Sequence, residues 1–110
     1  MNSLFIYGTL APGEENAHIM DGMVGIWTQA SVRGKRFNIG WGVHSGHPGL
    51  IPDQEGVVVN GLIFTSKDLP AHWDRLDTFE GKDYKRVMIM ATLENGDKVK
   101  TQIYSVLSRD

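Results

Sequence analysis

Residues 84–107 read YKRVMIMATLENGDKVKTQIYSVL, two runs of strand-type residues, 84–93 and 98–107, on either side of Glu94, Asn95, Gly96 and Asp97. Asn-Gly between two such runs is the strongest short-range hairpin signal, because both residues tolerate the backbone of a tight turn. The two runs are expected to pair antiparallel. A sheet that ends in a hairpin is antiparallel or mixed, which already excludes an all-parallel architecture.

Upstream of the hairpin, SKDLPAHWDRLDTFEG (66–81) carries Leu69, Trp73 and Leu76 at i, i+4 and i+7, the spacing of one apolar helix face. Ser66 or Asp68 caps its start, Pro70 is tolerated in a first turn, and Gly81 supplies the stop. Before it, VVVNGLIF (57–64) is nearly all apolar, as expected of a central strand buried on both faces, with Gly61 marking a bulge or a close backbone approach. The segment GWGVHSGHPGLIPDQEG (40–56) holds too many Gly and Pro residues for regular structure and reads as a long loop, a kind of segment that is often functional. Residues 24–27 and 30–39 read as two strands, EENAHIMDG (14–22) as a short helix, and Leu4 to Tyr7 as a first strand that delivers YGTL to a turn. The expected fold is α+β: a small mixed or antiparallel β-barrel with short flanking helices, in a single domain over residues 1–110.

Composition narrows the function. The 110 residues are 41% hydrophobic and 22% charged, which is a folding composition rather than a disordered one. A formal net charge of -2 lacks the electrostatic footprint of a nucleic-acid or anionic-membrane binder, so neither partner is expected. With no cysteine there is no disulfide framework and no thiolate nucleophile. The opening MNSLFIYGTL has no basic start, and no apolar run approaches the roughly 18 residues of a membrane span, so a cytoplasmic location is expected. No heptad or obvious apolar docking face stands out, and a monomer or weak homodimer is expected.

Chemistry is concentrated at two places. Glu80 falls at the last turn of the predicted helix, where the macrodipole opposes a negative charge and the adjacent apolar face opposes its solvation. A carboxyl so placed suits proton transfer near neutral pH. The alternative is a surface acid that points into water and pairs with Lys82 or Lys85. YGTL, at Tyr7, Gly8, Thr9 and Leu10, brings a strand into a turn where Gly8 allows backbone N–H groups to approach an anion or carbonyl oxygen, although most such turns bind nothing. His44 and His47 lie three apart, with His18 and His72 elsewhere; without Cys or an HExxH pattern this is no metal set, and neither metal nor cofactor is expected. The tryptophans and the Met88 and Met90 pair read as core or half-buried packing, and Arg33, Lys35 and Arg36 as a solvated strand face.

Taken together, a first strand ending in YGTL, a late helix ending in LDTFEG and a following YKRVMIMA resemble the gamma-glutamylcyclotransferase-like family, which includes gamma-glutamylamine cyclotransferases and small bacterial proteins. The most specific part is Leu76, Asp77, Glu80, Gly81, Tyr84 and Arg86. Two positions depart from the family pattern: Phe64 stands where an aromatic hydroxyl is frequent, and His47 precedes Pro48 where Tyr-Pro is frequent. The resemblance implies a barrel with a cavity, Glu80 as catalytic acid/base, Tyr7, Gly8, Thr9 and Leu10 as the loop that grips a gamma-glutamyl group, and Tyr84 as a lining residue. It implies a small gamma-glutamyl amide or peptide as substrate, cyclised to 5-oxoproline with release of an amine. The competing readings are a non-catalytic module binding a small carboxylate in the same cavity, and a purely structural domain.

Overall fold

The computed structural model describes residues 2–38 and 48–107. Along the chain come β1 (Ser3–Ile6), a 3-10 turn (Ala17–Met20), β2 (Ile26–Asn38), β3 (Pro48–Pro52), β4 (Val57–Thr65), α1 (Leu69–Glu80), β5 (Tyr84–Leu93) and β6 (Lys98–Val106). The strands follow the order β3-β2-β4-β1-β6-β5, and β5 returns to β2 through Ala30 opposite Leu93 and Ser31 opposite Thr92. Five strands thus close a barrel, with β3 added alongside β2. The β1–β6 contact is parallel and the other pairings are antiparallel, so the barrel is mixed. This is the expected α+β barrel.

Strand alternation divides the apolar side chains between two cores. Phe5, Val32, Leu50, Val59, Ile63 and Ile103 meet inside the barrel. Leu4, Ile6, Phe64 and Tyr104 point outward, where Leu69 and Leu76 of α1, together with Leu10 and Met20, cover them. β1 is therefore buried on both faces. Gly61 is the point of closest backbone passage: a Cβ there would lie 2.6 Å from the Ile6 carbonyl oxygen and 2.6 Å from the Phe5 ring.

The terminal hairpin forms as expected, over a three-residue loop, Glu94 to Gly96. Leu93 N–H donates to the Asp97 carbonyl at 2.8 Å and Gly96 N–H to the Leu93 carbonyl at 2.9 Å, while Gly96 takes a positive φ of 91°. At the entry to α1, the Ser66 hydroxyl accepts from Asp68 N–H at 3.0 Å and donates to the Val24 carbonyl at 2.6 Å. Asp68 stands at the N-cap position but its side chain makes no capping bond to the helix; instead its carboxylate accepts from Val24 N–H at 2.9 Å, which ties the helix start to the chain leading into β2.

Several expectations change. The strands read at 24–27 and 30–39 are one strand, β2, because Thr28 and Gln29 continue the ladder opposite Ile63 and Leu62; Ile39 lies outside the described residues. The Gly/Pro-rich segment 40–56 contains β3, which pairs with residues 34–38 and places fully buried Leu50 in the barrel. β4 is not buried on both faces: Val57 and Val58 are 55% and 51% exposed, since β1 pairs only with residues 62–65. Residues 14–22 hold only the four-residue 3-10 turn, and Met88 and Met90 lie exposed on the outer face of β5. No helix among the described residues is long and apolar enough to cross a membrane.

Candidate active site at the end of the first strand

β1 stops at Ile6, and the chain turns through Tyr7, Gly8, Thr9 and Leu10. The turn is fixed from within: Ala11 N–H donates to the Gly8 carbonyl at 3.3 Å and Asn16 N–H to the Thr9 carbonyl at 2.9 Å. α1 arrives at the same place because its apolar face, Leu69, Leu76 and the half-buried Trp73 and Phe79, packs on the outward side chains of β1 and β6. The helix ends at Glu80, and Gly81, at φ 86°, donates its N–H to the Asp77 carbonyl at 3.0 Å.

The result is a cavity of about 40 Å³ lined by Tyr7, Gly8, Thr9, Leu10, Glu80, Tyr84 and Tyr104 over a floor of Leu4, Phe5 and Ile6. That is room for a few waters. All six residues singled out in the sequence, Tyr7 to Leu10, Glu80 and Tyr84, line this one cavity. Glu80 Oε2 is shielded from solvent, which removes the simple picture of a surface acid pointing into water. Thr9 Oγ1 is also buried and has no hydrogen-bond partner among the described residues.

The three tyrosines of the chain all face this region. Burial raises the Tyr7 phenol well above its ordinary value, and the Glu80 charge raises it further; its hydroxyl donates to the Tyr104 carbonyl at 3.3 Å. Burial and then Glu80 push Tyr84 up to about 12. Burial and the hydrogen bond to Asp77 raise Tyr104 strongly. All three therefore stay protonated at any physiological pH and serve as hydroxyls, not as phenolates.

Tyr104 leads to a network that the sequence reading did not assign. Its hydroxyl donates to Asp77 Oδ1 at 2.6 Å, and Arg86 donates Nε–H to the same oxygen at 3.1 Å. Arg86 also donates from Nη1 to Gln102 Oε1 at 2.7 Å and lies 4.0 Å above the Trp73 ring. Desolvation opposes the charged form of Asp77, but Tyr104 and Arg86 outweigh it and hold the carboxyl below its ordinary value. The available signal was hairpin register, which sets Arg86 opposite Tyr104. His44 and His47 lie outside the described residues. Among those described, no three His, Asp or Glu side chains are grouped to hold a metal ion.

The family model for gamma-glutamyl cyclotransferase, AIG2-like proteins matches residues 4–110. The chain belongs to this family. Its barrel is similar to that of YkqA from Bacillus subtilis, at 25% identity and a TM-score of 0.71, covering 96% of this chain and 35% of that one. The chain thus spans about a third of YkqA. An AIG2-like protein from Mus musculus matches at 21% identity and a TM-score of 0.72, over 100% of this chain and 80% of that one. A structure described as a gamma-glutamyl cyclotransferase matches at 14% identity and a TM-score of 0.69, over 99% and 68% respectively. The last two show a shared fold. No curated protein sequence matches the chain.

Proposed function

We propose that the protein cyclises a small gamma-glutamyl amide or peptide to 5-oxoproline and a free amine, with Glu80 as general acid/base. The observation that carries this reading is the convergence of one solvent-shielded carboxyl, three neutral phenols and the Tyr7 to Leu10 turn on a single cavity, in a chain of the cyclotransferase family.

The reaction asks little of a protein beyond position and proton transfer. The substrate α-nitrogen attacks its own γ-carbonyl carbon, forming one C–N bond and closing a five-membered ring; the original amide C–N bond then breaks. Because the attack is intramolecular, holding the chain in its folded-back shape supplies much of the acceleration. Two protons leave the α-ammonium as it becomes the lactam N–H, and two arrive at the departing nitrogen, which leaves as an ammonium. Glu80 can carry them in turn: as carboxylate it takes a proton from the nucleophile, and as acid it gives that proton to the leaving nitrogen. Thr9 Oγ1 and the Tyr7 and Tyr84 hydroxyls are polar contacts for the substrate, and backbone N–H groups at Gly8 to Leu10 hold its carboxylate or the developing oxyanion. A cytoplasmic, cofactor-free enzyme acting as a monomer or weak homodimer fits this chemistry.

The test is 5-oxoproline release from a panel of gamma-glutamyl amines and dipeptides. Release supports the reading. Silence from folded protein whose melting temperature nevertheless rises with panel members would mark a binding module instead, since a ligand of the native state stabilises it.

A further inference from the structure

The chain has five methionines and no cysteine, so thioethers are the only sulfur it offers to an oxidant. The four methionines among the described residues are unequally placed. Met20 is buried in the core under α1, and Met23 is half-buried against the same cluster. Met88 and Met90 are 60% and 48% exposed, two positions apart on β5 and therefore side by side on its outer face. Neither lines the acid cavity. Strand register surrounds the pair with hydrogen-bond donors. Across the β5–β6 ladder Met88 stands opposite Gln102 and Met90 opposite the exposed Lys100, at the roughly 5 Å spacing of directly opposed side chains. Arg86 is the next outward residue along β5, about 7 Å from Met88 by strand geometry, and its Nη1 reaches Gln102 Oε1 at 2.7 Å. A thioether sulfur is a weak acceptor and makes little use of such neighbours, whereas a sulfoxide oxygen is polar and accepts from them.

We propose that Met88 and Met90 form a reversible oxidation site for hydrogen peroxide and related two-electron oxidants. A sulfur lone pair attacks one peroxide oxygen; the S–O bond forms as the O–O bond breaks, and the proton on the transferred oxygen passes to the departing hydroxide, which leaves as water. The sulfur loses two electrons and the peroxide gains them. A sulfoxide reductase reverses the change with two thiols, which become a disulfide while the oxygen departs as water. The new oxygen stands in solvent beside Arg86, Gln102 and Lys100, so the fold tolerates it. The same oxygen on Met20 would be forced into a packed core.

The test is a hydrogen peroxide time course on the folded full chain, with each methionine followed by peptide mass spectrometry and thermal unfolding read alongside. Met88 and Met90 are expected to gain one oxygen each at least about tenfold faster than Met20, with Met23 between, and denaturant removes the difference. While Met20 is still intact, the protein with the pair oxidised melts within about 4 °C of the untreated protein. Sulfoxide reductases of both epimer specificities, supplied with a thiol reductant, then return both residues to methionine without unfolding the chain. Oxidation of Met20 as fast as that of the pair overturns the assignment. So does loss of the folded transition while Met20 is intact, or sulfoxide at Met88 and Met90 that the reductases leave in place, because either would make the pair a point of damage rather than a reversible site. None of these readouts involves a gamma-glutamyl compound, so the cyclotransferase reading stands or falls separately.

Discussion

Asp77 and Glu80 stand three positions apart at the end of one helix, yet they occupy opposite surroundings. The Asp77 side chain is 45% exposed and is held by Tyr104 and Arg86, which keep it ionised. Glu80 turns its Oε2 out of reach of solvent, into a cavity where its charge lifts the phenols of Tyr7 and Tyr84. A carboxylate fastened by a guanidinium and a hydroxyl is a structural clamp. One that lies beside neutral hydroxyls inside a cavity is the acid to which the proposed reaction gives the proton transfer. The difference is decided by what lies across from each acid, not by the residue type.

That contrast can be broken by experiment. The largest expected effect is on catalysis in Glu80→Gln, which loses about a hundredfold to ten-thousandfold in kcat, the usual contribution of general acid/base transfer, while its melting temperature changes little. Next comes Leu76→Ala. Leu76 is fully buried under α1 and fastens the helix end that carries both acids. Removing it costs about 2–5 kcal/mol, read as a fall in melting temperature of about 10 °C or more, with activity falling in parallel. Asp77→Asn should do the reverse of Glu80→Gln: about 1 kcal/mol of stability lost, discounted for exposure, and kcat within about tenfold of wild type.

The pH dependence separates the two acids again. A carboxyl whose folded value is lowered stabilises the fold above its ordinary range and loses that stabilisation as pH falls through the folded value. The stability difference between wild type and Asp77→Asn should therefore be largest near neutral pH and shrink as pH falls through the folded value, because only the wild type has this contribution to lose. At the alkaline end the sign reverses, since raised phenols stabilise the fold below their ordinary value of 10.0 and cease to do so as pH climbs through the folded values, about 12 for Tyr84. The smallest effect is spectroscopic: folded protein at about pH 10.5 shows little phenolate absorbance, although free tyrosine would be mostly ionised. Glu80→Gln should ease ionisation of Tyr7 and Tyr84, and Asp77→Asn that of Tyr104.

Much of this was legible where the signal is local. Asn95-Gly96 announced the hairpin, and the spacing of Leu69, Trp73 and Leu76 with Gly81 announced the helix and its end. Glu80 was conspicuous because it violates the charge preference of a helix C-terminus. What failed was non-local. Leu50 draws a Gly/Pro-rich stretch into β3 because the barrel has a place for it, and no window of sequence contains that place. Val57 and Val58 look like core residues until the short reach of β1 is known. The hairpin register sets Arg86 opposite Tyr104, but the network also needs Asp77, which only the docking of α1 brings to that pair.

The measurement that bears most directly on the account is 5-oxoproline formation from gamma-glutamyl-alanine by wild type, Glu80→Gln and Asp77→Asn side by side, with thermal unfolding of each to show that it is folded. The account predicts product from wild type and Asp77→Asn and a loss of at least about a hundredfold in Glu80→Gln. Product formation by Glu80→Gln at the wild-type rate would show that the proton moves through another group, and the division of labour between the two carboxylates would be wrong.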